Sequence, residues 1–207
     1  MKTRNAKNAI GLSTLVVLSL SAAAHATIVT TTGSVTQIAP PPSCAPGALI
    51  GFTAFTWNEQ QNVPLNLIVD MVNNPGSSNA PTPGAINGTY SSHFLHFEQI
   101  PGVPPATGTI TYAQPIVAVI FRNINLDNSD GPAGAFGTIY PTSFPMRGLI
   151  TAPVSFVTIN ANVLTFDLSS VFTFANVNQI RVITQAPAPG SAALLGLGGL
   201  VCFRRRR

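Results

Sequence analysis

The chain has 207 residues, of which 45% are hydrophobic and only 8% charged, and its formal net charge is +4. Three basic residues lie in residues 1–7 and four end the chain, so the part between them holds three arginines against six acidic residues, 3 − 6 = −3. This distribution excludes nucleic-acid binding by phosphate neutralisation, which needs clustered basic residues, and the composition excludes charge-driven disorder.

Residues 1–26 have the three parts of a secretory signal peptide. Three positive charges precede a mostly apolar run, which is short for a membrane span of about 20 residues. Small residues follow and end in the A-x-A pattern of Ala24 and Ala26. We expect signal peptidase to cleave after Ala26, rather than the segment to remain as an anchor, so that the exported chain begins at Thr27.

Residues 27–186 predict one exported all-β domain, an antiparallel β-sandwich of jelly-roll type. Short runs rich in Val, Ile, Thr, Phe and Tyr alternate with Pro, Gly and Asn clusters, and no stretch shows a 3.6-residue hydrophobic stripe. The predicted strands are 28–38, 48–57, 65–72, 90–97, 108–112, 116–122, 136–140, 154–160, 163–168 and 180–184.

Two strand predictions are more specific than the others. Residues 116–121 are apolar on both faces, which is typical of a central strand. Residues 157–166 predict a hairpin that turns at 160–162, because asparagine tolerates the positive φ of tight turns.

The surface of the domain is predicted to be mostly uncharged. Residues 27–185 hold nineteen Thr and fourteen Asn but only nine charged residues. Such a surface suits a neutral polymer matrix, although Thr and Asn are also simply common in strands and turns.

Tryptophan occurs once in the chain, at Trp57, and the polar residues Glu59 and Gln60 follow it. An aromatic face beside amides and a carboxylate can bind a sugar ring, which would make these three residues a carbohydrate contact. The other interpretation is that Trp57 ends a strand in the core.

Two segments suggest metal ligands. His93 and His96 are three residues apart on a predicted strand and point to opposite faces, so we expect one inside or at a rim and one outside, with structural roles rather than a joint metal site. The acidic segment 126–131 predicts an Asx-type turn, because it breaks the EF-hand pattern; Asp127 and Asp130 are a weak calcium candidate. The sequence predicts no other metal and no cofactor.

Catalysis is not predicted. Glu59, Asp70, Glu98 and Asp167 can in principle supply the carboxylate pair of a glycoside hydrolase. However, the chain lacks the G-x-S-x-G, P-loop, H-E-x-x-H and G-x-G-x-x-G motifs, and we therefore expect no enzyme.

The two cysteines have different expected fates. Cys202 lies in the C-terminal segment and is expected to leave with it. Cys44 would then be a single thiol in an oxidising compartment, either buried or available to cross-link chains.

Residues 187–207 predict a sorting signal. Pro187, Ala188, Pro189 and Gly190 break the domain, and thirteen small or apolar residues follow, 191–203. As a helix they would be roughly 20 Å long, against a bilayer core of about 30 Å, so the segment enters a membrane but spans it poorly. The chain ends in four arginines, which favour a cytoplasmic end: Arg204, Arg205, Arg206 and Arg207.

This tail resembles the PEP-CTERM sorting domain, with Ala188 where the family has glutamate. The resemblance implies an exosortase-like transpeptidase as processing partner, transient membrane association, and a Gram-negative-type bacterium that makes exopolysaccharide. The alternative is a plain tail anchor. The body is similar to other exported proteins with this tail, a group without a settled activity. That similarity lies in residues 59–63, 93–97, 126–130, 140–142 and 181–184.

Together these features predict a secreted, non-enzymatic protein of the cell surface or exopolysaccharide matrix. A carbohydrate-binding module in that matrix is the second hypothesis, and an extracellular hydrolase is the third.

Overall fold

The computed structural model describes residues 27–99, 104–149, 155–168 and 177–187. The predicted signal peptide, the helices expected at the two ends, Cys202 and the sorting tail beyond Pro187 lie outside these ranges. Within them, no helix is both long and apolar enough to cross a membrane.

The described residues form two β-sheets that pack together, with one helix, and the predicted all-β class is confirmed. The elements are β1 (Ile28–Gly33), β2 (Val35–Gln37), β3 (Ile50–Gly51), β4 (Ala54–Asn58), β5 (Val63–Val69), β6 (Gly76–Ser77), β7 (Gly84–Gln99), β8 (Ala106–Tyr112), β9 (Ile116–Ile120), α1 (Asn123–Ala133), β10 (Phe156–Asn160), β11 (Val163–Leu168) and β12 (Val177–Gln185).

The first sheet has the order β1-β8-β11-β10-β6 and is antiparallel throughout. The second has the order β2-β4-β7-β12-β9, and β3 and β5 also pair with β7. Its β2–β4 and β3–β7 pairs are parallel, so this sheet is mixed rather than purely antiparallel as predicted. β7 organises it, because its first half pairs with β5 and its second half with β4 and β12.

The register of the first sheet separates an apolar face from a hydroxyl-bearing face. Ile110, Leu164 and Ile159 are cross-strand partners and are buried in the main core. The next row along the strands crosses all five strands and carries only hydroxyl side chains on the opposite face. Its members are Thr32, Thr109, Thr165, Thr158 and Ser77.

The second sheet is buried on both faces. Alternation along β7 directs Leu95 and Phe97 into the main core, and Phe94 into a second apolar cluster that includes Trp57 and Leu126 of α1. Because both faces are covered, side chains on either face of β7 and β12 are buried.

Helix α1 replaces the predicted acidic turn, so that prediction is wrong. Its buried residues are Leu126, Ser129 and Ala133, of which only one is a large apolar side chain. The helix therefore lacks the apolar stripe by which a sequence reveals an amphipathic helix. Asp127 and Asp130 bind arginines from its surface instead, as described below.

Two strand predictions also need correction. Residues 136–140 form a turn and not a strand, apart from a single bridge at Ile139. β9 ends the order of its sheet and is not central, yet most of it is buried. Its outer edge is covered because Met71 and Val119 exchange backbone hydrogen bonds of 3.1 and 2.9 Å.

The predicted β10–β11 hairpin is confirmed. Its positive φ, 53°, belongs to Ala161 and not to an asparagine. The neighbouring asparagine acts through its side chain instead, since Asn162 Nδ2 donates to the carbonyl of Tyr112 at 2.6 Å.

Candidate functional site

A buried ionic network lies on the α1 side of the second sheet. Arg181 of β12 meets Glu59, which directly follows β4, through two parallel hydrogen bonds. Arg181 Nε donates to Oε2 at 2.7 Å and Nη2 donates to Oε1 at 2.9 Å, and neither side chain is exposed. Burial by itself lowers the pKa of Arg181. The negative charges of Glu59 and Asp130 have the larger effect, so the pKa is raised.

Helix α1 joins this pair through its two aspartates. Their i, i+3 spacing places Asp127 and Asp130 on one helix face. Arg147 Nη1 donates to Asp127 Oδ1 and to Asp130 Oδ2, both at 2.7 Å, while Arg181 Nη2 lies 3.2 Å from Asp130 Oδ1. We call the set Glu59, Asp127, Asp130, Arg147 and Arg181 the arginine network.

Asp127 and Asp130, the calcium candidate, thus bind the side chain of Arg147. Arg147 is buried, and its guanidinium occupies oxygens of both Asp127 and Asp130. Among the described residues no group of three or more His, Cys, Asp and Glu side chains is arranged to hold a metal ion.

The carboxylate of Glu59 accepts four hydrogen bonds. Besides the two from Arg181, the Tyr140 hydroxyl donates to Oε1 and the Ser92 hydroxyl donates to Oε2 at 2.6 Å. Burial and the Glu59 charge both raise the pKa of Tyr140, which keeps its proton available for this bond. All four acceptor positions of this carboxylate are therefore engaged within the protein.

The network fastens α1 to the sheet. Arg181 also donates to the Ser129 hydroxyl of α1, and its guanidinium lies over the rings of Phe94 and Tyr140, at 5.0 and 5.2 Å from their centroids. Every charge is paired, which is the condition for keeping charges in a protein interior. The charged groups of the network are engaged with one another.

Separate segments of the chain meet at the arginine network. Residues 59–63, 126–130, 140–142 and 181–184 each contribute to the arginine network or to its hydrogen bonds. Segment 93–97 adjoins it through His96, whose Nδ1 lies 3.1 Å from Gln179 Nε2, while Gln179 Oε1 accepts from Arg147. One signal in the sequence pointed here: an arginine inside the apolar run of β12 must be buried and paired.

A groove of about 320 Å³ lies beside the network, and Glu59 contributes to its lining. The other lining residues are Pro40, Gln60, Gln61, Val63, Ala135 and Phe136. The predicted contact residue Trp57 is not among them, because it is fully buried and stacks on Phe94 with a centroid distance of 5.0 Å. The core interpretation of Trp57 is confirmed, and the exposed aromatic side chain at the groove is Phe136.

Both histidines are buried, so the expectation of one outside is wrong. They do point to opposite faces: His93 stacks on Tyr112 in the main core, and His96 contacts Gln179 on the other face. Burial lowers the pKa of His93 to about 3 and that of His96 to about 4. Both rings are therefore neutral at physiological pH.

Three of the four carboxylates considered for hydrolysis bind separate partners, and the fourth lies on the other sheet. Asp70 Oδ2 accepts from the backbone N–H groups of Phe121 and Arg122, both at 2.7 Å. Glu98 accepts from the N–H of Gly47 at 2.8 Å, and burial raises its pKa although that hydrogen bond opposes the shift. Glu59 belongs to the arginine network, and Asp167 lies on β11 of the other sheet.

Cys44 is expected to be unreactive in the folded protein. Its side chain is fully buried, and burial raises the pKa of the thiol to about 12, so almost no thiolate forms. In a Cys202→Ser variant of the full chain, a disulfide reagent at pH 8 should label Cys44 only after denaturant is added. Rapid labelling without denaturant would contradict the buried position.

Comparison with known proteins gives no relative: no protein family model matches the chain, and neither a curated protein nor a solved structure is similar to it.

Proposed function

We propose that this protein is a secreted, non-enzymatic structural component of the cell surface or exopolysaccharide matrix of a Gram-negative-type bacterium. The observation that carries the proposal concerns the nine charged residues between positions 27 and 187. Only Arg122 among them is exposed, and the other eight are buried or partly buried. The domain therefore presents almost no fixed charge to its surroundings.

A surface of this kind suits a hydrated neutral polymer. The outer row of Thr32, Thr109, Thr165, Thr158 and Ser77 offers hydroxyl groups that hydrogen-bond without attracting or repelling ions. Charged side chains at the surface normally help to keep small proteins apart in solution. A domain that exposes so few of them is better suited to an immobile matrix than to a concentrated cytosol.

A structural role also agrees with the state of the acidic residues. Glycoside hydrolysis needs two carboxyl groups across one bond. In this domain Glu59 is saturated by four donors, and Asp127 and Asp130 are bound to Arg147. We propose that these acids serve the fold, which is of jelly-roll type in our interpretation.

In this proposal the two ends of the chain are the signals for export and for sorting. Signal peptidase removes residues 1–26, and an exosortase-like transpeptidase cuts near 187–190 after the tail has entered the membrane. Arg204, Arg205, Arg206 and Arg207 hold the tail at the cytoplasmic face until that cut.

Deleting residues 188–207 is expected to move the protein from the cell surface and matrix to the culture medium, because the retention signal is lost. Immunodetection in cell, surface and medium fractions measures this. A second variant replaces the four terminal arginines with glutamine. It should fold normally and be released with its tail still attached. Equal surface retention of the wild type and the deletion variant would contradict the proposal.

A further inference from the structure

We propose that the groove lined by Pro40, Glu59, Gln60, Gln61, Val63, Ala135 and Phe136 binds one or two sugar units of a neutral polysaccharide chain. This inference deepens the proposed function by naming the matrix partner. It rests on the proposed function in one respect: the protein must be exported in order to meet the polysaccharide. The binding itself does not depend on export.

The groove offers an aromatic face to a ligand. Phe136 follows helix α1 and is 89% exposed, the largest exposure among the large apolar side chains of the described residues. A pyranose ring presents C–H groups on its faces, which pack on an aromatic ring. The remaining apolar wall, Pro40, Val63 and Ala135, extends this contact.

The floor of the groove selects for an uncharged ligand. Glu59 is its only charged residue, and this carboxylate already accepts four hydrogen bonds and is paired with Arg181. A cationic ligand finds no free carboxylate there, and an anionic ligand meets no free cation. Neutral hydroxyl groups are the polar groups that fit.

The side chain of Gln60 provides an acceptor for such hydroxyls. Its Nε2 group donates to the carbonyl of Gly134 at 2.8 Å, which orients the amide. Within the described part of the chain, no hydrogen bond reaches Oε1 of Gln60, and this oxygen is not among the buried ones, so a sugar hydroxyl can donate to it. Gln61 supports the wall of the groove, since its Nε2 donates to the carbonyl of Ser92 at 2.9 Å and its Oε1 is buried.

The groove is held in shape before a ligand arrives. The turn that carries Phe136 is fixed on both sides, since the N–H of Ala135 donates to Tyr140 Oη at 2.8 Å and the N–H of Ile139 donates to Pro42 O at 3.0 Å. Gly137 completes the turn with φ of 81°. Preorganisation of this kind lowers the entropic cost of binding, and a volume of about 320 Å³ lies within the usual range for ligand pockets.

The test measures binding of defined hexasaccharides to protein purified from cells that express the full chain. Isothermal titration compares neutral linear hexamers of β-1,4-glucose, β-1,3-glucose, β-1,4-mannose and β-1,4-xylose with a hexamer of galacturonic acid and with a proline-rich peptide. We expect saturable binding of at least one neutral hexamer. Phe136→Ala should weaken it roughly tenfold, and Phe136→Trp should preserve it.

Phe52→Ala is the matched control, because Phe52 is 72% exposed but does not line the groove, and its loss should leave binding unchanged. Equal affinity of wild type and Phe136→Ala, preference for the acid or the peptide, or no binding of any neutral hexamer would overturn the inference. A protein retained at the cell surface that binds no glycan overturns this inference alone. A glycan-binding protein found only inside cells overturns the proposed export alone.

Discussion

Replacing Arg181 with methionine is expected to lower the free energy of unfolding by roughly 3–5 kcal/mol, because it leaves buried acids without their counter-charge. Arg181 is fully buried and pairs with both Glu59 and Asp130. For a domain of this size the melting temperature should fall on the order of 10 °C. Urea unfolding at pH 7 measures the change directly.

Arg122→Met is the matched control for this prediction. The side chain of Arg122 is 56% exposed and its Nε lies 3.8 Å from the buried Asp70, whose carboxylate also accepts three hydrogen bonds that this substitution leaves in place. Its loss should cost less than about 1 kcal/mol. Similar losses in the two variants would show that the arginine network does not stabilise the fold as described.

Acidification from pH 7.5 to 5 is expected to destabilise the protein, because two buried histidines are neutral in the fold. Burial lowers the pKa of His93 to about 3 and that of His96 to about 4, against 6.5 in an unfolded chain. The unfolded state therefore binds protons first, and stability that is complete above pH 6.5 declines as the pH falls toward 4. Each histidine should lower the free energy of unfolding by about 2 kcal/mol at pH 5 relative to pH 7.5.

The measurement is the free energy of unfolding between pH 7.5 and 5. Glu98 acts in the opposite sense, since its raised pKa favours proton uptake by the folded state, but it is one group against two. The double variant His93→Gln, His96→Gln should start less stable at pH 7.5 and show a flatter profile. A wild-type profile as flat as that of the variant would contradict the buried, neutral histidines.

Alternation of apolar and polar residues predicted much of the β-structure. Strand β11 has Leu164, Phe166 and Leu168 buried, and its hairpin with β10 lies where the turn residues indicated. Hydrophobic periodicity does not predict helix α1, because Leu126 is its only large buried apolar residue and ion pairs supply much of the remaining attachment. Strand β9 is mostly buried although it ends its sheet, because a neighbouring loop covers its outer edge.

The candidate site was less accessible to sequence reasoning. Glu59 was considered as a sugar contact and Asp130 as a calcium ligand, yet both bind Arg181. Glu59 and Arg181 are 122 positions apart, and only tertiary structure shows that β4 and β12 both flank β7. Local pattern identifies residues able to do chemistry, whereas the partner that neutralises each of them is a long-range property of the fold.

The central claim, that a domain with little exposed charge is exported and stripped of both basic ends, is tested most directly by intact-mass analysis of protein collected outside the cell. Removing +3 and +4 from a chain of +4 leaves −3. We predict a polypeptide that begins at Thr27, ends within residues 187–190 and focuses as an acidic protein. A recovered chain that begins at Met1 or ends at Arg207, with the basic isoelectric point near 9.6 of the full sequence, would contradict the account.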